Sequence, residues 1–134
     1  MSLLADTSVW SLTFRRDNPQ SEPQVLALID ALDGRQTVFT TGLILQELLQ
    51  GFAGPKARDR IIDKLSALPL LIPDLADHIE AAELRNICQR SGVQIDTVDA
   101  LLAHLCIRHQ LALLTVDGDF THIAKCAPLK LWKA

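Results

Sequence analysis

One stretch, residues 95–120 (IDTVDALLAHLCIRHQLALLTVDGDF), constrains this chain more than any other. Val98, Leu101, Leu102, Leu105 and Cys106 recur at helical spacing and predict a helix over 97–109. LALLT at 111–115 then reads as a buried strand, and TVDGDF places Asp117 and Asp119 just past its end. A carboxylate-led helix feeding such a strand belongs to an open α/β sheet, which gathers its ligands at the carboxyl ends of its strands.

The rest of the chain fits that frame. SLLAD at 2–6 predicts a short buried strand ending in a carboxylate, with Thr7 or Ser8 available to cap the helix VWSLTFRR. Asp17-Asn18-Pro19 breaks that helix. The next runs through Val25, Leu28, Ile29 and Leu32 to Gly34. TVFTT at 37–41 is β-branched and aromatic, hence a strand, and Thr41 can cap the helix GLILQELLQGF. After Gly54-Pro55 come an amphipathic helix, a strand at 70–72, a helix from Asp74 to about Ser91, and a last strand at 129–132. This alternation implies an α/β fold: a central, mostly parallel sheet of four to five strands flanked by helices. The length of 134 residues suits one domain, 1–134.

Several function classes drop out. No apolar run approaches the roughly 20 residues that cross a bilayer, and MSLLADTSVW lacks the basic and apolar regions of a secretory signal. The expectation is a cytoplasmic protein with no membrane association. A net charge of -3 argues against nucleic-acid binding by bulk positive charge, although bound metal would reverse the field at a local site. The three cysteines form no C-x-x-C pair; Cys88 and Cys106 fall on apolar stripes and read as reduced core residues. The histidines show no zinc-ligand spacing.

The acidic residues are more informative. Asp6 ends a buried strand, where a carboxylate is costly unless it is paired, caps a helix or binds metal. Glu47 sits among Leu43, Ile44, Leu45, Leu48 and Leu49, on a helix apolar around most of its circumference; it either enters a site or follows a solvated seam with Gln46 and Gln50. Asp96 and Asp99 resemble a helix cap with an acid in the first turn. Small neighbours, Ala100 and Ala103, would leave Asp99 room for a metal and a phosphate. Asp117 and Asp119 form either a simple turn with a helix cap or an oxygen-ligand pair. Clustered like charges raise one another's pKa and are stable near neutral pH mainly around a cation. Oxygen-only ligands favour Mg²⁺ or Mn²⁺ over zinc or copper, and such a metal can activate water for phosphodiester hydrolysis.

Together LLADTSVW, LILQELLQG and TVDALLAHLCIRHQLALLTVDGDFTHIA resemble a PIN-domain ribonuclease, most closely a VapC-type toxin of bacterial type II toxin–antitoxin pairs. The resemblance covers nearly the whole chain, in matching order. It implies catalytic Asp6, Glu47, Asp99 and Asp117, metal contacts from these and from Asp119, and a supporting role for Thr7 in steadying the metal-bound water. Asp96 and Arg85 are further candidate supporting residues; Arg85, like Arg90, either meets RNA phosphates or antitoxin acids or simply lies on a solvated helix face. His104 departs from the pattern, since a second small residue is commoner there. The resemblance further implies a Mg²⁺- or Mn²⁺-dependent endoribonuclease, an RNA substrate, a cognate small antitoxin protein and a homodimer. Two alternatives are an aspartyl-phosphate phosphotransferase and a non-catalytic module on the same fold. The first lacks a second acid two residues after Asp6, where Ser8 stands. The second has no need of all four acids.

Overall fold

The structure, a computed structural model, describes residues 2–15 and 22–134. Asp17-Asn18-Pro19 and the end of the first expected helix lie outside the described residues. Five strands, β1 (Leu3–Ala5), β2 (Val38–Thr41), β3 (Leu70–Leu71), β4 (Ala112–Leu114) and β5 (Lys130–Leu131), form one sheet in the order β3-β2-β1-β4-β5. Every pairing is parallel. The sequence-based expectation of a mostly parallel sheet therefore holds, and the sheet is wholly parallel.

Seven α-helices connect or flank the strands among the described residues: α1 (Thr7–Phe14), α2 (Pro23–Asp30), α3 (Gly42–Gly51), α4 (Pro55–Ser66), α5 (Leu75–Arg90), α6 (Thr97–His109) and α7 (Asp119–Cys126). None is long and apolar enough to cross a membrane. Leu3, Leu4, Leu113 and Leu114 are buried almost completely, because a parallel strand in the middle of the sheet is covered on both faces. Each such side chain contributes about 1.5–3 kcal/mol by leaving water.

Local signals set most boundaries. Thr41 caps α3, accepting from the Ile44 amide at 3.2 Å. Asp96 caps α6, accepting from the Asp99 amide at 2.8 Å. The cap of α1 corrects the Thr7 or Ser8 reading and agrees with the cap reading of Asp6, which accepts from the Val9 amide at 3.3 Å. Thr7 is already helical. α2 opens into a wide π-type turn over Ala31–Arg35, and Gly34 ends it at φ 101°, a conformation that suits a residue without Cβ.

The order of the strands decides where a ligand can sit. The chain lays β2 and β3 on one side of β1, then crosses to lay β4 and β5 on the other. The connections leaving β1 and β4 therefore diverge from adjacent carboxyl ends, opening a crevice there. Asp6 follows β1 directly, and Asp117 lies three residues beyond the end of β4.

Candidate active site

At that crevice is a cleft of about 200 Å³ lined by Asp6, Thr7, Ser8, Glu47, Asp96, Asp99, Leu102, Asp117 and Asp119. All five candidate ligands come together there, from four separate segments of the chain. So do Thr7 and Asp96. Arg85 does not line the cleft; its Nε donates to the Ile95 carbonyl at 2.9 Å and so ties α5 to the segment before α6.

Carboxylate oxygens of Asp99, Asp117 and Asp119 approach within 4.8 Å of one another. Asp6 stands deeper, buried behind this trio. The Ser8 hydroxyl donates to Asp6 Oδ1 at 2.6 Å, and the Thr115 hydroxyl donates to Asp6 Oδ2 at 2.6 Å. These two side chains also organise the loop after β4. Val116 N–H donates to Ser8 Oγ at 3.1 Å, and Asp117 N–H donates to Thr115 Oγ1 at 3.0 Å. Asp117 Oδ1 in turn accepts from the Asp119 amide at 3.0 Å, which fixes the start of α7. The cap position of α7 belongs to Gly118; Asp119 is its first helical residue.

Glu47 is exposed along the seam of α3 that also carries Gln46 and Gln50. Of these three only Glu47 lines the cleft, so it both lies on the solvated seam and enters the site. Glu47 Oε1 accepts from the Thr7 hydroxyl at 2.8 Å, which links α3 to the first turn of α1. The expected alanines do not shape the site. Ala100 and Ala103 are buried in the core, and Leu102, three residues after Asp99, lines the cleft instead.

The electrostatics match a crowded anionic site. Burial, first, and then the negative charges of Asp96, Asp117, Asp6 and Asp119 push the Asp99 carboxyl up to about 7. Burial also raises Asp6, aided by Asp117 and opposed by the Ser8 and Thr115 hydroxyls and the Val9 amide. No lysine or arginine lines the cleft among the described residues. A pocket whose ligands are all carboxylate and hydroxyl oxygens, with its charge uncompensated by protein cations, fits a hard divalent cation.

Sequence reasoning missed Ser8 and Thr115 as organisers of Asp6. A hydroxyl two residues after a strand-ending aspartate, and another closing a buried strand, were the available signals. His104, the departure from the family pattern, has a structural role. Five residues past Asp99, this side chain faces α5, and its Nε2 lies 2.8 Å from Asp77 Oδ1. Since an ionised carboxylate only accepts, that nitrogen donates. Arg108 Nη1 donates to both Asp77 oxygens at 2.7 Å. His104 therefore clamps α6 to α5 and does not crowd the cleft.

Residues 3–125 match the family model of the PIN domain. This chain belongs to the PIN-domain family. Among curated relatives, this PIN domain is similar to a VapC ribonuclease of Mycobacterium bovis and to ribonuclease VapC11 of Mycobacterium tuberculosis. Each is 28% identical over 130 residues, covering 96% of both chains. Among solved structures, a chain of FitAB bound to an IR36 DNA fragment aligns at a TM-score of 0.74 and 24% identity, covering 97% of this chain and 93% of that one. VapBC2 from Rickettsia felis, bound to a DNA fragment from its promoter, aligns at 0.73 and 19% identity, covering 98% of each chain. These two likenesses establish the fold.

Proposed function

We propose that this PIN domain, residues 1–134 acting as one unit, is a metal-dependent endoribonuclease, the toxin of a toxin–antitoxin pair that inhibits translation. The observation that carries the reading is the cleft at the β1/β4 carboxyl ends, where Asp99, Asp117 and Asp119 approach within 4.8 Å beside Asp6 and Glu47. The ribonuclease activity of the two mycobacterial relatives supports the choice of RNA.

Asp99, Asp117 and Asp119 would hold Mg²⁺ or Mn²⁺, with Asp6 and Glu47 as further ligands, direct or through water. When bound, the ion supplies an activated water and charge neutralisation at the scissile phosphate. The chain's own residues prepare that reaction. Ser8 and the Val9 amide use both lone pairs of Asp6 Oδ1, and Thr115 uses one of Oδ2, which fixes the carboxylate plane and leaves the second lone pair of Oδ2 for a ligand. Thr7, whose hydroxyl donates to Glu47, would have its oxygen lone pairs free to accept from the metal-bound water. Asp96 holds the first turn of α6 and so positions Asp99.

A cytoplasmic toxin of this kind needs an inhibitor, and a small antitoxin protein is the partner that the resemblance implies. In support, a groove of about 600 Å³ combines the aromatic side chains Phe14 and Phe52 with Arg15, Lys56 and Arg60. An apolar floor with a basic rim suits an acidic amphipathic segment. For the homodimer, the support is an exposed apolar edge made by Leu70, Ile72, Leu75 and Ile79.

The test is RNA cleavage with Mg²⁺ or Mn²⁺ by wild type, Asp6→Asn and Asp99→Asn. Both variants should keep the wild-type circular dichroism and lose at least about 100-fold in rate, the scale on which removal of a positioned electrostatic group acts. Full metal-dependent cleavage by both would refute the assignment.

A further inference from the structure

The acidic cleft at the carboxyl edge of the sheet is the smaller of two adjoining openings, the larger reaching down to Ala112 and Lys130 at the start of β4 and β5. Beside it, between α7 and β5, runs a groove of about 900 Å³. The two openings meet at Asp117, which lines both. Beyond Asp117 the sign of the charge reverses. Among the described residues, the other charged side chains of the groove are Lys125, Lys130 and Lys133, all exposed. The whole chain carries 13 lysines and arginines against 16 aspartates and glutamates, so three cations to one anion along one trough runs against the molecule's general balance.

The groove also holds the partly exposed aromatic Trp132. Its backbone N–H donates to the Leu113 carbonyl at 2.9 Å, two residues before Thr115. Neighbouring strands lie about 4.8 Å apart. Trp132 is therefore one strand over from the segment that carries Asp117, at the same carboxyl edge. Gly118 and Thr121 of the loop and α7 complete the connection between the groove and the cleft.

We propose that this groove carries the single-stranded RNA that flanks the scissile phosphate. Trp132 stacks on a base, and Lys125, Lys130 and Lys133 meet the phosphates. The inference rests on the nuclease reading above and assigns its substrate path. A metal site engages one phosphate, while its acidic rim repels the next. A strand leaving the cleft is held only where cations lie, and in the groove that shares Asp117 with the cleft these are Lys125, Lys130 and Lys133. Aromatic stacking combined with a basic groove is the general solution for single strands, and it tolerates any base because each has a π face.

Direct binding measurements test this on the full chain in EDTA, so that the probe stays intact. The probe is a 12-nucleotide fluorescein-labelled oligouridylate, with tryptophan emission followed for an unlabelled copy. RNA should quench Trp132, whereas Trp10, fully buried, serves as the unquenched standard. Trp132→Leu should remove the quenching and weaken binding about tenfold, and Trp132→Phe should retain most of the affinity. The triple variant K125Q/K130Q/K133Q should bind at least about 30-fold more weakly at low salt. Its slope of log K against log salt should fall by about 2, at roughly 0.7 for each phosphate no longer neutralised. With Mg²⁺ or Mn²⁺ present, the triple variant should raise KM and leave kcat within about twofold.

Three results would overturn the proposal. One is unchanged RNA affinity and salt slope in the triple variant. Another is self-association as its only change, which would make the lysines guards of an open sheet edge. The third is tighter, lysine-dependent binding of a poly-glutamate 12-mer than of RNA, which would make the groove a protein-docking surface. The two readings fail separately. Cleavage that requires Asp99 but ignores the lysines and Trp132 removes the groove and leaves the nuclease. Lysine- and Trp132-dependent RNA binding without any metal-dependent cleavage removes the nuclease and leaves the groove.

Discussion

Asp99 shows how one carboxylate can serve two ends. It sits in the first turn of α6, where the helix dipole favours a negative charge, yet burial and four acidic neighbours push its carboxyl up to about 7 from an ordinary 3.8. In metal-free protein the folded state keeps a proton on Asp99 that the unfolded chain releases near pH 4. Stability is therefore greatest below about pH 4 as far as this group is concerned, falls as pH rises from about 4 to about 7, and levels beyond. Urea titrations of apo protein at pH 5 and pH 7.5 should show this fall, and Asp99→Asn, which cannot ionise, should flatten it. A wild-type profile no steeper than that of the variant would contradict the account. Asp6 differs because its partners are hydroxyls as well as charges: Ser8 and Thr115 offset part of its burial.

At the scale of elements, α5 and α6 form the most extensively packed helix pair, and Asp77 stands between them. It is buried, completes a capping box with Asp74 at the start of α5, and receives His104 and Arg108 from α6. The Asp74 amide, first, and then His104 and Arg108 hold its carboxyl well below the usual range, against the opposing effect of burial. Removing it leaves the Asp74 amide without its partner and leaves His104 only the more distant Glu80 carboxylate at 3.4 Å. Asp77→Ala should cost at least about 2 kcal/mol by urea unfolding, combining a lost cap with unpaired polar groups. Arg108→Ala should cost less, because the capping box and the His104 contact to Asp77 both survive. The reverse order would show that the guanidinium, rather than the cap, holds the two helices. This clamp sits on the side of α6 away from the cleft, so neither variant should change which residues line the active site.

For the molecule as a whole, the sheet order creates the crevice and the acidic residues leave it short of positive charge. A cation that binds only the folded state stabilises it by mass action. At a concentration about 100 times its Kd, the gain is about 2.7 kcal/mol. For a domain of this size that corresponds to a rise in Tm on the order of 10 °C. Calorimetric scans with and without Mg²⁺ or Mn²⁺ should show such a rise at pH 7.5, with most of it lost in Asp99→Asn. An equal rise in wild type and variant would place the ion elsewhere.

The chain's own order of residues determined the elements and the list of acids. Helical spacing from Val98 to Cys106, the caps at Thr41 and Asp96, and the stop at Gly34 are local effects, acting within a turn or two of backbone. They are readable without knowing what lies across the fold. Asp6 and Glu47 were legible for a related reason, since a carboxylate beside a run of apolar residues is costly wherever the run is buried; Asp99, Asp117 and Asp119 are ambiguous with caps and turns alone, and the motif resemblance singled them out. Tertiary structure alone decided the rest. Only the sheet order makes β1 and β4 neighbours, which brings Ser8 and Thr115 onto the same carboxylate from opposite ends of the sequence. Only packing turns His104 toward Asp77 and sets Leu102, in place of two alanines, against the cleft. Only the pairing of β5 with β4 lays Trp132, Lys130 and Lys133 along the groove that Asp117 also lines. Long-range pairings depend on which surfaces meet, and a hydroxyl, a histidine or a lysine carries no local mark of its distant partner.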